Sequence, residues 1–215
     1  MTELPDWTPL DWTVPDALEG RYARLERLSV DPHVEALYAA NPIDVAHWEY
    51  LPYGPFPEPG VYRLWAEGAA VSPDPLYYAV CGAAGWSGLA SYMRVDRTNG
   101  VIEIGNIAFS PGLQRTPAST EVVHLMLDHA FTAGFRRVEW KCNAENAPSR
   151  RAAERLGFTY EGTFRQHMIV KGQNRDTAWF AMIDSDWPAI RAKHVAWLDP
   201  SNFDASGKQL KPLRL

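Results

Sequence analysis

The sequence predicts a mixed α/β fold, a sheet flanked by helices in one domain. Three observations carry this. Strand-like and helix-like patterns alternate through the second half of the chain. The clearest helical pattern, Val123, Met126, Leu127, Ala130 and Phe131, stands between two short β-type runs. With 215 residues, 46% hydrophobic and 22% charged, the chain can bury one sizeable core and is too apolar to stay disordered.

Residues 1–19 are rich in Pro, Asp and Trp and read as an irregular N-terminal arm. Gly20–Leu28 alternates and reads as a first strand. Asp31 reads as the N-cap of a helix with Pro32 at N1, and Asn41-Pro42 as its stop. Residues 47–62 carry five aromatics and four prolines without a period, which predicts a structured loop before a helix near Gly60–Ala70. Three strands follow, Leu76–Cys81, Trp86–Val95 and Val101–Phe109, with Asn99-Gly100 as a tight-turn signal. Gly134 ends the clear helix, and Arg137–Cys142 is a short strand. Asn146 caps a second helix, with Pro148 in its first turn and Gly157 closing it. Strands at Thr159–Ile169 and Thr177–Ile183 bracket a turn at 171–176. A last helix, Ser185–Trp197, leads to a polar tail.

Composition excludes several function classes. A net charge of −5 argues against duplex nucleic acid, which demands a basic footprint. No run reaches eighteen apolar residues, so no membrane span is expected, and the first residues show no secretory pattern. Cys81 and Cys142 are too few for a disulfide framework, and the expected setting is the cytoplasm. His124 and His129 stand five apart on one helix, about 140° in rotation, so they cannot share a metal. No metal site is expected. There is no Gly-x-Ser-x-Gly elbow and no dinucleotide-binding glycine pattern.

The stretch Glu103–Phe158 carries the chemistry: strand, loop, helix, strand, capped helix. A helix start leaves unpaired N–H groups and a partial positive charge, a ready anion site, and Arg115 adds a fork of donors. Gln114-Arg115-Thr116-Pro117-Ala118-Ser119, followed by Asn146-Ala147-Pro148-Ser149 and Glu154-Arg155-Leu156-Gly157-Phe158, resembles the GNAT acyl-CoA-dependent N-acetyltransferases, most closely the RimJ/RimL-like branch. The resemblance spans about residues 20–185 and leaves 186–215 as a C-terminal helix and tail.

It implies acetyl-CoA as co-substrate and an amine acceptor, either a small molecule or a protein N-terminus. The loop and helix start (Gln114, Arg115, Thr116, Ser119, Thr120) would hold the pyrophosphate. The backbone of Ile107, Ala108 and Phe109 would hold the pantetheine arm, and Asn146 and Ser149 would face the arm and the sulfur. The aromatics Trp48, Tyr50 and Tyr53, with His167 from the late strand, would wall the acceptor pocket. The pattern has two departures. Pro117 has no N–H where the family loop is usually glycine-rich, a loss that Arg115 and the hydroxyls of Thr116, Ser119 or Thr120 could offset. Ala153 stands where many members place a tyrosine acid, which shifts that role to Ser149.

Each assignment has an unremarkable counterpart. Ser149 is either the acid for the leaving thiolate or a first-turn capping residue. Glu103, mid-strand among apolar residues, is either the base or a residue facing solvent or an arginine. The aromatic loop is either a pocket wall or a small satellite core, and His167 either reaches the acceptor or satisfies its own strand. Gly105-Asn106 interrupts its strand and predicts a bulge; the resemblance implies that such a bulge exposes an amide, here the N–H of Ile107 or a neighbour, to the thioester carbonyl. An α-amine near pKa 8 needs about 3 kcal/mol less for deprotonation than a lysine amine near 10.4. A single base candidate therefore favours an α-amine or another amine of low pKa. The alternative overall is a non-catalytic CoA-binding or partner-docking module, and exposed arm aromatics would suit a homodimer.

Overall fold

The computed structural model describes residues 3–41 and 44–214. Its strands are β1 (Ala17–Glu19), β2 (Arg24–Arg27), β3 (Leu76–Gly82), β4 (Gly85–Asp96), β5 (Val101–Phe109), β6 (Arg137–Asn143), β7 (Thr159–Val170) and β8 (Gln173–Ile183). The helices are α1 (Val30–Ala40), α2 (Val45–Trp48), α3 (Pro59–Ala70), α4 (Pro117–Thr132), α5 (Ala147–Arg155) and α6 (Trp187–Leu198). All eight strands form one sheet in the order β1-β2-β3-β4-β5-β6-β8-β7. Every ladder is antiparallel except β5–β6.

The two-residue period of the strands sorts side chains into two cores. Tyr78 and Val80 of β3, Ile102 and Ile104 of β5, Val138 and Trp140 of β6, and Phe180 of β8 bury against α4, α5 and the Trp187 end of α6. Tyr77 and Ala79, on the other face of β3, bury with Leu89 under an aromatic layer from α1–α3 that includes Trp48, Phe56 and Tyr62. That second layer covers only the β2–β4 half of its face. Over β5, β6 and β8 the same face carries Glu103, Glu139, Lys141, Arg175 and Trp179.

The arm is more ordered than its composition predicts. It supplies β1, and Trp12 is buried in the first core, its indole donating to His129 Nε2 at 3.1 Å. Trp7 donates to the Thr98 carbonyl and lies against Arg136. Both tryptophans pack on their own domain, which removes the exposed aromatics that suggested a dimer. Glu121 of α4 accepts from the backbone N–H groups of Arg21, Tyr22 and Ala23 and so fixes the β1–β2 turn. A Cβ on Gly20 would collide with that carboxylate.

Other boundaries differ for local reasons. The N-cap of α1 is Ser29, not Asp31, and Pro32 sits at the third helical position rather than the first. The helix ends at Ala40 with Asn41 as C-cap; Pro42 lies outside the described residues. The short helix α2 interrupts the loop expected at 47–62, because Asp44 caps it by accepting from Ala46 N–H. The late hairpin turns at Lys171-Gly172 rather than across 171–176, so β8 begins at Gln173.

Candidate active site

The site originates in a gap in the sheet. β5 and β6 share a ladder only at residues 101–103 and 137–139, yet β5 runs on to Phe109 and β6 to Asn143. Beyond Glu103 and Glu139 the two strands splay. The resulting cleft, about 1100 Å³, runs from the α4 start to the β7–β8 hairpin. That is at the upper end for ligand sites and leaves room for two reactants.

One end gathers free backbone donors and positive charge. Thr116 caps α4 by accepting from Ser119 N–H, and its own hydroxyl donates to the Leu113 carbonyl at 2.7 Å. Ser119 Oγ donates to the Thr116 carbonyl at 2.8 Å. These two hydroxyl protons are therefore spent on the loop itself and do not offset Pro117 as expected. Thr120 Oγ1 instead receives Arg155 Nη1 at 3.0 Å. Gln114 donates to the Phe109 carbonyl at 2.7 Å, which ties the loop to the end of β5. Arg115 takes a left-handed φ of 60° at the rim. Among the described residues, no hydrogen bond occupies the backbone N–H of Arg115, Thr116 or Ala118. Arg151, Arg155 and Lys208 join Arg115 around this mouth.

The tail after Asp199 is folded here too. Trp197 donates to Gln209, Phe203 bridges to Gln209, and Trp197, Phe203 and Gly207 wall the cleft. Sequence reasoning missed Arg155 and this wall. Arg155 was legible as part of the Leu-Gly-Phe segment; the wall depends on the tail folding back.

At the middle of the cleft, Ile107, Ala108 and Phe109 line β5. The bulge falls where expected. Leu89 pairs with Ala108 and Ser91 with Gly105, so Asn106 and Ile107 together oppose Ala90, and Asn106 has φ 51°. Asn106 donates to Ser91 Oγ at 3.1 Å, which holds this backbone in place. Asn146 caps α5 by accepting from Ser149 N–H at 3.0 Å. Trp140 Nε1–H donates to Ser149 Oγ at 3.0 Å, so the serine oxygen is occupied as an acceptor, and its hydroxyl side is turned toward the Cys142 thiol. Cys142 is buried, and burial pushes its thiol pKa up, so no thiolate nucleophile stands here.

At the vertex of the splay Glu103 is buried in a charge network. Its Oε2 receives Arg94 Nη1 at 2.7 Å and Lys141 Nζ at 2.9 Å. Lys141 also reaches Glu139 at 2.6 Å and lies 3.8 Å from the Trp179 ring centroid. Glu139 is shared with Arg137 at 2.8 Å, and Arg137 pairs with Glu161 at 2.6 Å. The expected alternative of an arginine partner is therefore realised, with a lysine added. Oε1 faces Gly105, where a Cβ would sit 3.5 Å away and strike Met93. The period-2 run Arg137-x-Glu139-x-Lys141 carried this signal in the sequence, unread.

The acceptor wall differs from expectation. Tyr50 lines the cleft with His47, Glu49, Met168 and Val170. Trp48 does not: it is buried in the aromatic core against Phe56, because the loop closes over it. Tyr53 is also no lining residue; it stacks on Trp65 and donates to the Asn106 carbonyl at 3.4 Å, behind the bulge. His167 pairs with Thr177 at 2.9 Å on its own hairpin, and its neighbour Met168 takes the lining position. Lys171 at the hairpin tip donates to the carbonyls of Trp48 (2.8 Å) and Tyr53 (3.1 Å), strapping the hairpin to the aromatic loop. Among the described residues, no cluster of three or more His, Cys, Asp or Glu side chains could hold a metal, and no helix is long and apolar enough to cross a membrane.

A sheet split beside a helix start, with a held hydroxyl between, defines an acyl-transfer cleft. The acetyltransferase (GNAT) domain family matches residues 23–159. A GCN5-related N-acetyltransferase from Brucella melitensis is 46% identical, with a TM-score of 0.94 over 98% of this chain and 97% of that one. The chain belongs to the GNAT acetyltransferase family, whose general function is acetyl transfer to an amine. An uncharacterized N-acetyltransferase p20 from Bacillus licheniformis is 30% identical over 46% of this chain, and the match spans only 56% of that relative's length. Mycobacterium smegmatis RimJ in complex with CoA-disulfide shares the fold, at 21% identity and TM-score 0.68 over 85% of this chain and 94% of that one.

Proposed function

We propose that this chain moves an acetyl group from acetyl-CoA directly onto the nitrogen of an amine, in one ternary complex. The carrying observation is the splay of β5 from β6, which sets the anion-binding helix start, the held Ser149 hydroxyl and Glu103 along one continuous cleft. The unpaired N–H groups of Arg115, Thr116 and Ala118 fit a pyrophosphate, with Arg115 and Arg155 adding charge. Ile107, Ala108 and Phe109 would hold the pantetheine arm through backbone groups, and Asn146 would face it from α5. The co-substrate supplies an activated acetyl thioester. The Ile107 N–H at the bulge would stabilise negative charge on the carbonyl oxygen. Glu103 Oε1 would accept the amine proton, directly or through water, while Oε2 stays with its two cations. Ser149 would donate its proton to the departing sulfur and take one back from water in the cleft, so that its hydroxyl is restored.

The RimJ/RimL-like assignment rests on the loop-to-Leu-Gly-Phe spacing, and the shared fold with RimJ is compatible with it. Two free cysteines suit a reducing compartment such as the cytoplasm. The test is calorimetry with CoA together with thiol release across an amine panel. Arg115→Ala should weaken CoA binding about tenfold at unchanged melting temperature, the loss of one charge-assisted contact. Unchanged affinity removes Arg115 from the phosphate site. Tight CoA binding with no thiol release at high enzyme would instead mark a non-catalytic module.

A further inference from the structure

The face of the sheet exposed beyond the aromatic layer holds four cations, Arg94, Lys141, Arg137 and Arg175, and three carboxylates, Glu103, Glu139 and Glu161. The ion pairs consume all three carboxylates on the first three cations. Arg175 is left over. It lines the cleft beside Met168, its ladder partner across the hairpin. Its side chain makes no ion pair or hydrogen bond among the described residues, and its Nε is shut off from solvent with no acceptor. A guanidinium offers five donors in a planar fork, and burying one without an acceptor is costly. Burial indeed pushes its pKa below the ordinary value, and the Glu103 carboxylate is close enough to act on it in the opposite sense.

Resting on the acetyltransfer reading, we infer that Arg175 receives a carboxylate of the acceptor, so the favoured acceptors are amines that also bear a carboxylate, of amino-acid type. A carboxylate matches the guanidinium fork with two parallel hydrogen bonds. Glu103 Oε1 on the same face then meets the amine, so the two ends of a zwitterion find opposite charges. A plain amine leaves the fork empty, and the terminal residue of a protein has its carboxyl tied up in a peptide bond.

The experiment compares amino acids with their carboxamides, and with short peptides of the same first residue, by thiol release from acetyl-CoA. Wild-type kcat/KM should favour the free acid over the amide by about tenfold to a hundredfold, the loss of a hydrogen bond to a charged group. Arg175→Gln should bring that ratio to within about threefold, chiefly by raising KM for the acid. Arg175→Lys should recover part of the preference. If wild type takes amides or peptides as well as acids, or if the ratio survives in Arg175→Gln, the inference falls while acetyl transfer stands. Should no amine of either kind release thiol, the acetyltransfer reading fails and takes the inference with it. The wild-type ratio decides the matter even if Arg175→Gln does not fold.

Discussion

Ser149→Ala isolates the step at the sulfur. In the protein Ser149 Oγ accepts from Trp140 Nε1–H at 3.0 Å, and its N–H donates to Asn146. The backbone bond survives the substitution, so the α5 cap stays. What is lost is one hydroxyl proton and one acceptor for a buried indole. The second loss is structural and costs about 1–3 kcal/mol of stability. The first is kinetic. A positioned general acid contributes typically 10²–10⁴-fold. Water reaching an open cleft would replace part of this, so kcat should fall roughly 30- to 300-fold, about 2–3.4 kcal/mol at 1.36 kcal/mol per decade. The CoA dissociation constant, set at the far end by Arg115 and the helix start, should change by less than about threefold. Steady-state thiol release and calorimetry read the two quantities separately. Trp140→Phe keeps the hydroxyl but frees it to rotate, and should give a smaller kcat loss of about three- to tenfold. Wild-type kcat in Ser149→Ala, or a loss carried entirely by CoA affinity, would refute the assignment.

The remaining predictions concern the supports of the cleft. Lys171→Met removes the strap to the carbonyls of Trp48 and Tyr53. The acceptor KM should rise about three- to tenfold with CoA affinity unchanged, as steady-state kinetics with varied amine would show. Glu121→Ala orphans three backbone N–H groups at the β1–β2 turn. Water can reach the outer two, so the expected loss is about 2–4 kcal/mol, or a melting temperature lower by roughly 4–16 °C; a shift under about 1 °C would remove the latch. Burial, helped by His124, holds the His194 imidazole down to about 4. The unfolded chain, near 6.5, takes up that proton first. This stability contribution is therefore whole above pH 6.5 and is lost as pH falls toward 4, a swing on the order of 3 kcal/mol. Urea midpoints from pH 7.5 to 4.5 should fall in wild type and fall less in His194→Gln; parallel curves would contradict it.

Much of the architecture was readable because it depends on local signals. Strands β3, β4 and β5 are largely apolar runs bounded by turn residues, α4 follows i, i+3, i+4 spacing, and Gly134 and Gly157 take the positive φ that ends their helices. Asn146 caps α5 as its position demands. The helix start, Ser149 and the bulge at Asn106 were visible for the same reason: each is a short-range backbone event with a residue-type signature.

What stayed hidden is whatever depends on where distant segments meet. Trp48, Tyr53 and His167 have the composition of a pocket wall, but neighbouring rings and Thr177 claim them first, and no short-range rule ranks a ring's possible partners. Glu103 was identifiable as a buried carboxylate, yet its two cations come from β4 and β6, strands set beside it only by sheet order. The amino-acid sequence by itself determined most of the elements and the open helix start after Gln114, since those are settled by bonds within a few residues. Only the tertiary structure decided which charges cancel and that the Arg175 guanidinium has no partner among the described residues, because electrostatic pairing is set by distance in space and not by separation along the chain.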